Sequence, residues 1–309
     1  MRGSTPEFTT AEAGGRPFGL EAPAARGRLL RWLATFARRQ PLGAFGLVVV
    51  IALILTALLA PWVAPYDPIK ADPSALRLSP NPSHPFGTDQ MGRDILSRVI
   101  YGARLSVGVS FGVVAISAAI GTLLGVIAGY YQRWPDYLLQ RTGEFFGAFP
   151  HLIFLLLVIS ILSPSVKTLM IALILPVALA GGSRVIRGAT ISIKQNQFVE
   201  AARAIGASDA RIIFVHVMPN VVPLAIVTST TGLGAVILAL SALGYLGLGV
   251  PPPTPDWGSD LSGQARSFFR VAPWIAIFPG MAISLTVLGF NLFGDALRDT
   301  LDPRLRGNR

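Results

Sequence analysis

The chain has 309 residues, 52% of them apolar and only 14% charged, with a mean hydropathy of +0.57. A soluble globular domain carries about 25% charged residues, so the composition excludes one and indicates a polytopic membrane protein. The formal charge is +10 and there is no cysteine, which excludes a disulfide framework, a thiolate nucleophile, an iron–sulfur cluster and a Cys-based zinc site.

Residues 1–25 are rich in Gly, Pro, Ala and Thr without apolar periodicity and are expected to be a disordered tail. Met1-Arg2-Gly3-Ser4 and the nearby Glu7-Phe8 could be appended rather than native sequence. Residues 26–64 read as a basic leader and a first membrane span. Its length and lack of a small-residue cleavage site suit an uncleaved signal anchor. A span needs roughly 20 apolar residues, and six segments qualify or nearly do: 42–63, 106–130, 149–162, 169–182, 221–250 and 273–293. The third and fourth are short and become tilted spans when extended by a few residues. The expected organisation is an extracytoplasmic loop at 65–105, a five-helix core at 106–295 with a cytoplasmic loop at 184–219, and a C-terminal tail at 296–309.

With the N-terminus placed inside, 18 of the 26 Lys and Arg residues fall on inner segments. The positive-inside rule then puts both termini and the 184–219 loop in the cytoplasm. The basic residues are scattered over loops, not gathered in a patch, so nucleic acid is not an expected partner. His84, His151 and His216 are far apart in sequence and fall on both expected sides of the membrane. Neither a metal site nor a catalytic residue is expected among them.

Two absences shape the function. No ionisable residue lies in the interior of any of the six spans, His151 standing at the start of the third, whereas ion-driven carriers usually need one near the midplane. No phosphate-binding loop is present, because Lys167, the only Lys followed by Ser or Thr, is preceded by Val166. The chain is therefore not expected to hydrolyse ATP in the P-loop manner, and if it pumps, the work comes from elsewhere. Gly121, Gly125 and Gly129 form a small-residue ladder on the second span. Packing within one subunit and a dimer interface both remain open for it.

Between the fourth and fifth segments runs Glu200-Ala201-Ala202-Arg203-Ala204-Ile205-Gly206, followed thirteen residues later by Pro219. Phe198, Ala201, Ala202 and Ile205 share one helical face at i, i+3, i+4 and i+7, with Glu200 and Arg203 off it. Gly206 is the expected left-handed stop, and Ser208-Asp209 offers a cap for a second helix.

This hairpin resembles the coupling loop of bacterial ABC import permeases. Further segments narrow the resemblance. These are Phe86-Gly87-Thr88-Asp89-Gln90-Met91-Gly92-Arg93-Asp94 running on to Arg104, Leu246-Gly247-Leu248-Gly249-Val250-Pro251-Pro252-Pro253 with Trp257-Gly258, and Gly294-Asp295 through Leu301-Asp302-Pro303-Arg304. Together they are similar to the C-type permease subunit of dipeptide, oligopeptide and nickel importers, over roughly residues 26–306. His216 stands where the general coupling-loop pattern often has an aliphatic residue, and the peptide class often carries His there.

The resemblance implies an all-α polytopic membrane protein with six transmembrane helices of the type I ABC importer kind, in the bacterial cytoplasmic (inner) membrane. It implies a heterodimer with a paralogous permease subunit, two cytosolic ABC ATPase subunits, an extracytoplasmic substrate-binding protein and no cofactor. Glu200 would be a polar contact for the ATPase, Ala201, Ala202 and Ile205 its packing face, Gly206 the turn, and Pro219 the end of the hairpin; Arg203 and His216 belong to the same loop. Nickel import within this family, an ion-coupled secondary transporter and a membrane scaffold stand as alternatives to peptide import.

Overall fold

The computed structural model describes residues 35–301. Among them all regular structure is helical, apart from an isolated bridge between Thr88 and Asp94. Residues 35–39 form a helical turn in a separate unit, Met1–Arg39; the remaining helices belong to a second unit, Gln40–Arg309. The expected tail at 1–25 and the last part of the C-terminal tail, 302–309, lie outside the described residues.

Helix α1, Pro41–Val63, opens with a proline in its first turn, where the missing N–H costs nothing. Its 23 residues, mostly apolar, rise about 35 Å, enough to cross hydrocarbon. One face is buried at Gly43, Gly46, Val50, Ala57 and Ala60, while Leu42, Val48, Leu58 and Trp62 are exposed, as lipid-facing residues are. A short 3-10 turn at Pro73–Ala75 precedes α2, Ile95–Tyr131, which is capped by Asp94 accepting from the Ser97 N–H at 2.8 Å. Then come α3, Arg133–Ala148, and α4, His151–Leu162, which meet at 89°.

Helix α5, Val166–Lys194, contains a π-helical turn at Val177–Gly182, and the short α6 is Gln197–Ala204. Helix α7, Asp209–Tyr245, has a second π turn at Ile212–Val217. Two short helices, α8 at Trp257–Asp260 and α9 at Gly263–Phe268, lead to α10, Trp274–Leu301. Among the described residues five helices are long and apolar enough to cross a membrane, and the bent pair α3–α4 would make a sixth. α4 has 12 residues and so rises only about 18 Å.

The helices outrun their hydropathy. The second apolar segment begins at 106, yet α2 starts at Ile95; the fourth, over 169–182, runs on to Lys194; the fifth, from 221, starts at Asp209. Hydropathy marks the lipid-immersed part of a helix, while its polar ends continue through backbone hydrogen bonds alone. Pro219 does not end a hairpin: it sits inside α7, just after the Ile212–Val217 π turn. A proline lacks the N–H for the i→i−4 bond and crowds the carbonyl four residues back, and a widened turn relieves both.

The main core joins Val113, Leu155, Ile159, Leu173, Ile237 and Leu243 from α2, α4, α5 and α7. The glycine ladder packs within the chain. A Cβ at Gly125 would lie 2.6 Å from the Ser183 carbonyl oxygen and one at Gly129 2.7 Å from that of Arg187, so α2 lies backbone to backbone against α5.

Candidate functional site

The loop between α5 and α7 carries α6, whose eight residues together with the C-cap Ile205 have two different apolar stripes. Val199 and Ala202 point inwards and are buried with Val126, Ile186, Ile212 and Val217. Phe198, Ala201 and Ile205 point outwards; Ile205 is 86% exposed and Phe198 43%. Ala202 thus leaves the outer face on which the sequence grouped it: spacing identifies positions that share a side but not which of two stripes meets the core. Glu200 is exposed beside the outer stripe.

The turn after α6 is a Schellman motif. The Ala207 N–H donates to the Ala202 carbonyl at 3.0 Å and the Gly206 N–H to that of Arg203 at 3.0 Å, with Gly206 at φ +83°. Among the described residues nothing lies within 4 Å of a Cβ built on Gly206, so backbone conformation and not space requires glycine. The Ser208 hydroxyl then accepts from the Arg211 N–H at 3.4 Å, starting α7. His216, half-buried in the π turn, has its ring 6.2 Å from that of Phe198 and its carbonyl accepting from Asn220 at 2.7 Å.

Arg203 is not a free surface charge. Its Nη2 donates to the Tyr130 hydroxyl at 3.3 Å, and that bond holds its guanidinium above its ordinary pKa. The Tyr130 hydroxyl in turn donates to Asp209 Oδ1 at 2.6 Å. Neither partnership is visible in the sequence, because Tyr130 lies 73 residues before Arg203 and 79 before Asp209.

In the body of the bundle, a cleft of about 650 Å³ opens between α2, α5, α7 and the α3–α4 bend. Its polar lining is Ser117, Thr122, Thr228, Ser229, Thr231 and His151, and no Asp, Glu, Lys or Arg borders it among the described residues. The hydroxyls donate to helix carbonyls: Ser117 to Ile174 at 3.1 Å, Ser229 to Ala225 at 2.6 Å, Thr231 to Thr228 at 3.1 Å. Each keeps acceptor lone pairs for an occupant of the cleft.

At the opposite end of α2 the residues after α1 knit to the α7–α10 connection. Asp89 accepts from Arg93 Nε at 2.6 Å, and Asp94 from His84 Nδ1 at 3.0 Å. Arg98 reaches Asp260 and also donates to the Pro68 carbonyl at 3.1 Å. The Trp257 indole, buried against Gly102, donates to the Val99 carbonyl at 2.9 Å. Burial pushes the Asp256 carboxyl up to about 6 and raises that of Asp260 against the opposing charge of Arg98. Among the described residues no cluster of His, Asp and Glu suited to a metal ion occurs.

Residues 121–307 match the family described as binding-protein-dependent transport system inner membrane component, and residues 37–80 match the N-terminal TM domain of oligopeptide transport permease C. The dipeptide transport system permease protein DppC of Alkalihalophilus pseudofirmus is 43% identical over 270 residues, covering 87% of this chain and 88% of that protein. The glutathione transport system permease protein GsiD of Escherichia coli O6:K15:H31 is 43% identical over 271 residues, covering 87% and 89%.

Proposed function

The chain belongs to the binding-protein-dependent permeases, as a C-type permease of the peptide and nickel class of ABC importers, and from that premise we propose that it carries peptides across the inner membrane. It is a permease subunit and not itself an enzyme; ATP hydrolysis belongs to partner subunits. Relatives named for a dipeptide and for glutathione, a tripeptide, support peptides as the cargo. The charge-free hydroxyl cleft supports it further: it offers acceptors to backbone amides and no fixed charge that would trap a zwitterion in mid-passage. In this reading the cleft forms this chain's wall of the pathway, and a paralogous permease supplies the facing wall.

The observation that carries the coupling role is the outward stripe Phe198, Ala201 and Ile205 on a helix already anchored by its inward stripe. An exposed apolar face rimmed by Glu200 suits a cytosolic ATPase, two copies of which would serve the permease pair. A binding protein would deliver the peptide at the Arg98–Asp260 end. Both termini then lie in the cytoplasm and α3–α4 makes the sixth crossing, with α3 along the membrane surface, as the 89° bend and the basic-residue distribution favour.

Two measurements test this. Uptake of a dipeptide, glutathione and nickel by vesicles holding the full complex should show ATP-dependent accumulation of a peptide, surviving collapse of the proton gradient; nickel uptake alone would reverse the substrate assignment. Single cysteines at Ser208 and Val271, both exposed, should be labelled by an impermeant reagent only from the cytoplasmic and only from the outer side, respectively. Ser259 is a poorer probe, since its hydroxyl donates to the Asp256 carbonyl at 3.0 Å.

A further inference from the structure

We propose that Tyr130 is the positioning residue through which the hairpin drives α2, making α2 a strut that links ATPase movement to the outer end of the bundle. The inference rests on the reading that α6 receives the ATPase.

Three chain segments meet at this one buried side chain. The hydroxyl donates to Asp209 at the start of α7 and accepts from Arg203 in the last turn of α6, so it holds both flanks of the Gly206 turn. The Tyr130 carbonyl accepts from Lys194 Nζ at 2.6 Å, at the end of α5, and the same ammonium lies 5.1 Å from the ring centroid. Displacing α6 therefore pulls on the terminal turn of α2 through directional bonds, not through apolar contact alone.

The neighbouring helices are poorer transmitters. α5 and α7 each contain a π turn, and the one in α7 begins three residues beyond Asp209. Such turns are where a helix bends. α2 has no proline and no π turn in 37 residues, and spans about 55 Å. Its far end carries Arg98, bound to Asp260, and Val99, whose carbonyl holds Trp257. A push at Tyr130 thus arrives at the loop that closes the outer end. The path makes the Tyr130 hydroxyl, not its ring, the critical group.

The test uses the assembled complex in lipid nanodiscs, with spin labels at Met91→Cys and Val271→Cys of this cysteine-free chain and accessible cysteines removed from the partners. Both sites are exposed. MgATP with vanadate is expected to shift the label distance in the wild-type chain. Tyr130→Phe and Asp209→Ala should each reduce the shift at least twofold, while the ATPases stay bound and trap nucleotide to the wild-type extent. Asp209→Asn, whose amide oxygen still accepts from the hydroxyl, should retain it, and the double variant Tyr130→Phe/Asp209→Ala should be no worse than either single one. Asp209 is exposed, so that arm does not depend on core folding. A wild-type shift in Tyr130→Phe, or no movement in the wild-type chain with nucleotide trapped, overturns the strut. ATPase retention in Ile205→Glu equal to wild type would instead count against the docking reading, independently of the label distances.

Discussion

Arg98 donates from Nε at 3.0 Å and Nη2 at 2.5 Å to one and the same oxygen of Asp260, Oδ1, and leaves Oδ2 buried without a hydrogen-bond partner among the described residues. The pair joins positions 162 residues apart and is a lopsided clamp: half the carboxylate is satisfied by both arms of the guanidinium. Removing the cation leaves a buried carboxylate with little compensation, so Arg98→Met should cost about 3–5 kcal/mol. Arg98→Met combined with Asp260→Leu should recover most of that. Thermal unfolding of the detergent-purified chain measures both, and a double variant no more stable than Arg98→Met would show that the charge is not the cause.

The Asp256 carboxyl is expected to give the connection between α7 and α10 a pH dependence. Its folded pKa, about 6, stands above its ordinary value of 3.8 because burial disfavours the ionised form. Between those values the folded chain holds the proton more tightly than the unfolded one. The stabilisation is therefore complete below pH 4 and is lost as pH rises through 6, a change on the order of 3 kcal/mol. Asp260 and Arg98 face the same region, and the Asp260 charge adds to the upward shift at Asp256. Hydrogen exchange over residues 246–262, corrected for intrinsic rates, should show protection falling from pH 4 to 7. Asp256→Asn, which keeps a capping oxygen for the Ser259 N–H, should flatten most of that fall.

Gly125 and Gly108 lie on the same helix and should respond differently to alanine. A Cβ at Gly125 would lie 2.6 Å from the Ser183 carbonyl oxygen, whereas no described residue lies within 4 Å of one at Gly108. Overpacking against backbone costs about 1–3 kcal/mol, so Gly125→Ala should lower the melting temperature while Gly108→Ala leaves it unchanged or raises it slightly through better helix propensity. Equal melting temperatures would mean that α2 and α5 do not touch along this ladder.

At Gly206 the cost is conformational alone. Gly206→Ala should lose about 1–2 kcal/mol of local stability, Gly206→Asn less, and Gly206→Val more, because a β-branched residue fits φ +83° worst. ATPase retention by the purified complex should follow the order Gly, Asn, Ala, Val. Glu200→Ala leaves the turn intact and should reduce ATPase binding without altering hydrogen exchange of residues 206–209.

Much of the hairpin is legible locally. The apolar spacing marks a helix, Gly206 marks its end, and Ser208 marks the next start, because caps and stops depend on neighbours within five residues. The rest requires knowing which helices meet. The glycine ladder announces a close approach but not whose backbone approaches. Val199 and Ala202 become the inner stripe only because Ile212 and Val217 return over them. Tyr130 looks like an ordinary aromatic at a helix end, and its role comes from Arg203 and Asp209 in three dimensions. The wall of the cleft has no sequence signature, since Thr228 and Ser229 also bond to their own helix and read as ordinary helical residues.

The shortness of α4 bears on the lipid as much as on the protein. In the proposed topology, where α4 makes the sixth crossing, its twelve residues rise about 18 Å and would leave some 12 Å of a typical 30 Å hydrocarbon layer unmatched. The aromatic residues of α3, Trp134, Tyr137 and Phe145, are exposed, and with α3 along the membrane surface headgroups would dip to meet them. In that topology the bilayer would thin locally around this corner and acyl-chain length would become a control on the transporter: vesicles of shorter-chain lipids should relieve the mismatch and thicker membranes should penalise it.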